Sequence, residues 1–147
     1  MGAFTETGDH LATLRLAGLL KGAQRLLVDA YEPALAPFNV DGRELAVLTL
    51  LTVIGAVSQQ EISRRLGIDR TTIVALTDTM SEKGLLLRLP DPRDRRKNLI
   101  ELTPAGRDLH ARAAPAIDEV EAAFLAPLAA EDRDKLRELL RAVVASR

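Results

Sequence analysis

The sequence predicts a mainly α-helical fold with one small β-hairpin, and three observations support this fold class. Apolar residues recur at helical spacing through most of the 147-residue chain. The helical stretches are separated by Gly, Pro and side chains that can cap helix ends. Two short apolar runs, "LLLRL" (85–89) and "LIEL" (99–102), flank a charged stretch, as the two strands of a hairpin would. A chain of this length can make one domain with a sizeable core.

Two helices are predicted before the middle of the chain. The first covers 9–32 and ends before Pro33, because proline cannot continue a helix. It has one apolar stripe that needs a partner, made of Leu11, Leu14, Leu20, Leu27, Val28 and Tyr31. The second begins after Asp41, whose carboxylate can cap it, and ends at Gly55. Its apolar positions repeat at three-residue spacing and predict core residues, namely Leu45, Leu48 and Leu51.

A short helix is predicted to start at "SQQE" (58–61), which has the pattern of a capping box. In such a box the Ser58 hydroxyl accepts a hydrogen bond from the Glu61 amide, and the Glu61 carboxylate accepts one from the Ser58 amide. The helix buries Ile62 and Leu66 and ends at Gly67, which tolerates the left-handed conformation of a helix end.

The next helix follows after the three residues "GID". Asp69 can cap it, and it covers 70–83 and ends at Gly84. The residues predicted to be buried are Ile73, Leu76 and Met80. Two helices joined by so short a turn are typical of a helix-turn-helix.

The hairpin has an unusually long predicted connection. Its stretch "DPRDRRKN" (91–98) contains six charged side chains. The connection runs from Pro90 to Asn98, whereas hairpin loops commonly have about 2–5 residues and longer ones are often functional. The sequence therefore predicts a binding loop at the tip of the hairpin.

Two more helices are predicted at the end of the chain. Thr103 can cap the first, with Pro104 in the first helical position, and this helix extends to about Leu125, where Pro115 can kink it. The last helix, 130–146, has apolar residues on one side, namely Leu136, Leu139, Leu140 and Val143.

The order helix, helix, turn, helix, strand, charged loop, strand is that of a winged helix-turn-helix, in which the second helix of the pair enters a major groove. Residues 41–103 are therefore predicted to be the DNA-binding region. Residues 1–40 and 104–147 are predicted to form a helical dimerisation region, within one compact domain overall.

Composition excludes several other classes of protein. There is no cysteine, no apolar run long enough to span a membrane and no signal-peptide pattern, which predicts a cytoplasmic protein that does not bind a membrane. Between Ser58 and Thr103 there are nine Lys and Arg against seven Asp and Glu, whereas the rest of the chain has eleven against fourteen. A protein with this balance can bind nucleic acid only through a local patch.

The segment from "SQQEISRRLG" through "DPRDRRKNLIELTPAG" resembles the winged-helix core of the MarR family of bacterial transcriptional regulators. The resemblance is detailed over about 58–109, and the flanking helices match only in order and approximate length. It implies a homodimer in which the terminal helices of both subunits interlock, with one recognition helix per subunit placed on a palindromic operator. It also implies a repressor that is relieved by a small phenolic or anionic ligand.

The candidate DNA-binding residues lie at three places. Arg70, Thr71 and Thr72 begin the recognition helix, where amides and hydroxyls can hold phosphates and Arg70 can bind guanine. At Ala75 and Thr79, where members of the family often have arginine, this chain offers methyl contacts instead, so readout leans on these and on DNA shape. The preceding helix start adds Ser58, Gln59 and Gln60.

The charged loop supplies the remaining DNA-binding candidates, which are Arg93, Asp94, Arg95, Arg96 and Lys97. By the resemblance, an arginine of this wing reaches the minor groove, and Arg95 is the predicted one. Asp94 is predicted to hold an arginine side chain through paired hydrogen bonds, while the other cations contact phosphates.

Evidence for other sites is slight. Arg15, Arg25 and Arg43 are weak candidates to bind an anionic or aromatic effector. No metal or cofactor is predicted, because His10 and His110 lie far apart in sequence without the spacing of a ligand set. No nucleophile motif indicates an enzyme. The alternative function is a winged-helix protein-interaction module that does not bind DNA.

Overall fold

The computed structural model describes residues 15–146, and within them it contains six α-helices and one β-hairpin. The elements are α1 (Leu16–Leu35), a 3₁₀ helix (Ala36–Phe38), α2 (Gly42–Ile54), α3 (Gln59–Leu66), α4 (Arg70–Glu82), β1 (Leu86–Asp91), β2 (Asp94–Leu102), α5 (Pro104–Phe124) and α6 (Ala130–Ala145). They form two compact units. One comprises the described residues up to Ala30 and from Asp118 onward, and the other is Tyr31–Ile117.

The unit Tyr31–Ile117 contains the hydrophobic core and the predicted helix-turn-helix. All three leucines predicted on α2 are buried, as are Ile62, Ile73 and Met80 of the helix pair. Leu76 is partly buried, and Thr77, which was not predicted, is fully buried beside it. The mainly α-helical fold with one hairpin is therefore confirmed.

Local side-chain signals predicted most helix boundaries correctly. The Asp41 carboxylate accepts hydrogen bonds from the amides of Arg43 and Glu44 at 2.8 Å each. Asp69 caps α4, and Thr103 caps α5 by accepting from the amide of Gly106 at 3.0 Å. Gly67 ends α3 with φ of 64°, in the left-handed region that favours glycine.

Two predictions about the helices were wrong. Pro33 lies inside α1, which continues to Leu35, because the fully buried Leu35 packs that last turn into the core at the cost of one backbone hydrogen bond. The Ser58 hydroxyl does accept from the Glu61 amide at 3.2 Å, but the Glu61 carboxylate turns to Arg64 and Arg65 instead of closing the capping box. Residues 9–14 of the predicted first helix lie outside the described residues.

The hairpin also differs from its prediction, because its strands extend into the charged stretch. Asp91 pairs with Asp94 across a two-residue turn, Pro92–Arg93, so the nine-residue loop does not exist. Pro90 pairs with Asn98, which leaves Arg95, Arg96 and Lys97 without partners on β1. These three residues are a bulge in β2. Most of the charged stretch is therefore part of the two strands, and the extra residues form a bulge in β2 instead of a long turn.

The base of the hairpin is packed closely against the start of α5. The Thr103 hydroxyl donates to the carbonyl oxygen of Gly84 at 2.6 Å. A Cβ atom on Gly106 would lie 2.3 Å from the carbonyl oxygen of Leu85, so only glycine fits there. On its other edge β2 forms a bridge through Ile100 to Val57, which fixes the hairpin to the segment before α3.

In the other unit, the terminal helices carry many exposed apolar side chains. On α1 they are Leu16, Leu19, Leu20, Leu26 and Val28, and on α6 they are Leu139, Leu140, Val143 and Val144. Leu16 and Val144 expose 71% and 74% of their surface. No helix within residues 15–146 is both long and apolar enough to cross a membrane.

Candidate nucleic-acid interface

A cleft of about 660 Å³ lies between the start of α3, the start of α4 and the tip of the hairpin. Seven of the predicted DNA-binding residues line it, namely Ser58, Gln59, Gln60, Arg70, Arg93, Arg96 and Lys97. Asp91 and Asn98 line it too, although the sequence analysis did not select them. Both belong to the charged stretch 91–98, and this position in the sequence could have indicated them as interface residues. The fold thus brings three separate parts of the sequence to one surface.

The first two turns of α4 contain the other predicted residues of the recognition helix. Arg70, Thr71 and Ala75 are exposed, and Thr72 is half-buried. The Asp69 carboxylate accepts from the Thr72 hydroxyl at 2.5 Å and from its amide at 2.9 Å, and these two bonds lower the pKa of Asp69. Thr72 is therefore engaged in capping the helix as well as lying at the predicted interface.

The far end of α4 is held by a partly buried ion pair that the sequence analysis missed. The Lys83 ammonium donates to both carboxylate oxygens of Glu44, at 2.7 and 2.9 Å, and to the carbonyl oxygen of Asn39 at 2.7 Å. Glu44 also accepts from the amide of Asp41 at 2.9 Å. Because Glu44 is buried, this cluster ties the end of the recognition helix to the start of α2.

The two helices of the pair are joined by one polar contact between side chains. Gln59 donates through Nε2 to the hydroxyl of the buried Thr77 at 2.7 Å. On the exposed side of α3, Arg64 and Arg65 hydrogen-bond to Glu61 and hold the pKa of its carboxyl at about 2, well below its ordinary value. Gln59 thus has a structural contact besides its place in the cleft.

The tip of the hairpin is shaped by two aspartates that bind backbone amides. Asp91 accepts from the amide of Arg93 at 2.9 Å, and Asp94 accepts from the amide of Arg96 at 3.1 Å. The Lys97 ammonium lies 4.0 Å from the Asp94 carboxylate. The predicted pairing of Asp94 with an arginine side chain is not formed among the described residues. The carboxylate satisfies an amide in the bulge, where regular strand pairing is interrupted.

Arg88 of β1 connects the hairpin to the recognition helix. Its guanidinium is hydrogen-bonded and ion-paired to the carboxylate of Asp78, and both side chains are partly exposed. Neither residue was selected from the sequence, because a contact between a strand and a helix cannot be recognised from spacing alone.

The weak effector candidates lie in different units. Arg15 and Arg25 belong to the unit formed by the chain ends, whereas Arg43 lies in the first turn of α2 in the other unit. All three are exposed. His110 shares a hydrogen bond with the hydroxyl of Thr49 at 3.1 Å, and His10 lies outside the described residues. The role of Arg15, Arg25 and Arg43 in binding an effector stays a prediction.

A helix-turn-helix followed by a hairpin, with cations at the hairpin tip and at the start of the second helix, defines a winged-helix protein of the DNA-binding class. The model of the MarR family matches residues 42–97. The transcriptional regulator PecS of Dickeya dadantii is 30% identical over 126 residues, which cover 84% of this chain and 76% of PecS. The chain therefore belongs to the MarR family, a family of transcriptional regulators.

Solved structures agree with this assignment. The transcriptional repressor CouR of Rhodococcus jostii RHA1, bound to a 23-mer DNA duplex, is 32% identical with a TM-score of 0.81, and the match covers 90% of this chain and 94% of that one. BpsR of Bordetella bronchiseptica is 26% identical with a TM-score of 0.78, and the match covers 96% and 95% of the two chains. The BpsR structure concerns the mechanism by which 6-hydroxynicotinic acid regulates DNA binding of BpsR.

Proposed function

We propose that this chain is a homodimeric repressor that binds a palindromic operator and leaves it when a small aromatic or anionic effector binds. The single observation that carries the DNA-binding part is the cleft, where Arg70 of the recognition helix lies with Arg93, Arg96 and Lys97 of the hairpin. Such a cluster gives a nearly neutral chain the local positive patch that DNA requires. The CouR complex with duplex DNA supports the same function.

In this proposal α4 enters the major groove and the hairpin bulge approaches the minor groove and its phosphates. Arg70, Thr71 and Ala75 face the bases, Thr72 lies beside them at the helix start, and Ser58, Gln59 and Gln60 face the backbone. The cations of the hairpin contact phosphates, with Arg95 reaching into the minor groove. Asp94 contributes by shaping the bulge through the amide of Arg96.

The exposed apolar side chains of α1 and α6 support the homodimer. Large apolar residues exposed in such number on two helices of one unit are costly in water, and burying them between two copies removes that cost. A twofold axis would also place two recognition helices about 34 Å apart, one turn of DNA. Residues 1–40 and 104–147 are then the dimerisation region, and 41–103 the DNA-binding region.

The effector is proposed from the ligand named for BpsR, which is an aromatic acid. Arg15, Arg25 and Arg43 are the candidates to meet its negative charge. In this function the chain acts by binding alone and catalyses no reaction. Its relatives are bacterial, so a regulator of this kind works in the cytoplasm, where bacterial DNA lies.

The test begins with selection of bound sites from random duplex DNA, followed by titration of the full chain with a selected and an unrelated duplex. We expect preferential binding to the selected site, a strong salt dependence and a dimer in light scattering. Aromatic carboxylates and phenols should raise the melting temperature and weaken operator binding. A dimer that selects no site and is not retained on duplex DNA at low salt would instead favour the protein-interaction module.

A further inference from the structure

The exposed face of α4 has few groups that can read bases through hydrogen bonds. Helical spacing places Arg70, Thr71, Val74, Ala75 and Asp78 on one face, and all five are exposed. Arg70 is the single cation in the thirteen residues of α4. Val74, an apolar residue, leaves 36% of its surface open on the same face.

Two threonines of α4, Thr72 and Thr79, add little hydrogen-bonding capacity, because the helix already uses their hydroxyl hydrogens. Thr79 donates to the carbonyl oxygen of Ala75 at 3.1 Å, and Thr72 donates to the Asp69 carboxylate at 2.5 Å. A threonine bonded in this way can offer a base its methyl group and an acceptor, but no donor.

Besides Arg70 and the Thr71 hydroxyl, Asp78 is the polar group on this face that could read a base, since a carboxylate can accept from the amino group of cytosine. Arg88 occupies it, because its guanidinium pairs with the Asp78 carboxylate. The pair also removes a negative charge that would otherwise repel phosphates. Arg88 is therefore a positioning residue, because it keeps the Asp78 carboxylate engaged and away from a base.

We infer that Thr71, Val74 and Ala75 recognise the methyl groups of thymines in each operator half-site, and that Arg88 supports this preference by keeping Asp78 from reading cytosine. Thymine is the one standard base with a methyl group in the major groove, so a face of methyl groups favours it by apolar contact. The inference rests on the proposed function, because it requires α4 to lie in the major groove.

The first experiment changes only the DNA. Each thymine of the selected half-site is replaced in turn by deoxyuridine, which lacks the methyl group and keeps every hydrogen-bonding atom. Loss of one buried methyl contact should weaken binding about three- to fourfold at the thymines that face α4. Deoxyuridine outside the half-sites should leave the affinity unchanged. This series uses the unaltered protein, so it does not depend on the folding of a variant.

The second experiment pairs protein and DNA changes. Val74→Ala should weaken binding to the thymine operator and should abolish the effect of deoxyuridine at one position, since the two changes remove the same contact. Val53→Ala is the matched control, because Val53 is 77% exposed on α2 and does not line the cleft. It should leave both affinities unchanged.

The third experiment repeats the site selection with Arg88→Gln. Release of Asp78 should enrich cytosine at one half-site position, with a melting temperature near that of wild type, since both side chains are partly exposed. Operator binding that no deoxyuridine weakens would overturn the inference and leave the proposed function standing. An unchanged selection with Arg88→Gln would overturn the role of Arg88. Failure to bind any duplex would overturn the proposed function and the inference together.

Discussion

Glu44→Gln tests whether the partly buried ion pair between α2 and the end of the recognition helix stabilises the fold. The substitution keeps the shape of the side chain and one acceptor oxygen, but removes the charge that both hydrogen bonds from Lys83 engage. Breaking a buried pair by removing one partner commonly costs about 3–5 kcal/mol. Lys83 keeps 26% of its side chain in solvent and its bond to Asn39, so we expect a loss of about 2 kcal/mol.

For a chain of this size, that loss should lower the melting temperature by about 4–8 °C. The assay is denaturant unfolding at one fixed protomer concentration, because dimerisation makes the apparent stability depend on concentration. Lys83→Met should cost more than Glu44→Gln, since it leaves the buried carboxylate without its partner. The double variant should lose less than the sum of the single losses by about 1 kcal/mol or more. Single losses that add within about 0.5 kcal/mol would refute the coupling.

Six further substitutions at five residues test the interface and the stability of the fold around it. Arg95→Ala should weaken operator binding by about 1–3 kcal/mol, whereas Lys97→Ala should weaken binding to every duplex alike and reduce the salt slope by about one, in titrations at several salt concentrations. Asp94→Asn should bind operator at least as well as wild type, because an amide oxygen can still accept from the bulge amide and one negative charge near phosphates is gone; Asp94→Ala should bind more weakly. Gly106→Ala should cost about 1–3 kcal/mol in denaturant unfolding, since its Cβ would lie 2.3 Å from a backbone oxygen, and unchanged stability would show that α5 can shift. The pKa of Glu61 is lowered from 4.5 to about 2, so its charged form stabilises the fold fully above pH 4.5 and this stabilisation is lost as the pH falls through about 2. In Glu61→Gln the free energy of unfolding should therefore change less with pH over this interval. Its dependence on pH near 7 should be the same as in wild type.

Most helix ends were predictable because each depends on residues only a few positions apart. Asp41, Ser58, Asp69 and Thr103 accept from amides two or three residues ahead, and these contacts form in any chain that begins a helix there. The apolar spacing in the helix pair likewise indicated Ile62, Ile73 and Met80 as core. The order of elements then predicted the winged helix-turn-helix, and four of the five cations expected at its interface, all but Arg95, line one cleft.

The hairpin shows where this kind of inference fails. Charged residues suggested a loop, but strand length is decided by whether a partner strand and its backbone groups are available, and β1 supplied them as far as Asp91. The resulting bulge left the Asp94 carboxylate beside the amide of Arg96, where a local bond replaced the expected pair with an arginine side chain. In α1, burial of Leu35 likewise outweighed the local effect of Pro33.

The sequence alone thus determined the class of fold, most of the helix ends and the cations available to meet DNA, because each of these depends on neighbours along the chain. The tertiary structure decided which distant residues meet. Lys83 reaches Glu44 across 39 positions, Gln59 reaches Thr77 across 18, and Arg88 of a strand reaches Asp78 of a helix. Such contacts are settled by the packing of whole elements on a shared core, which brings together side chains whose spacing in sequence has no period to recognise.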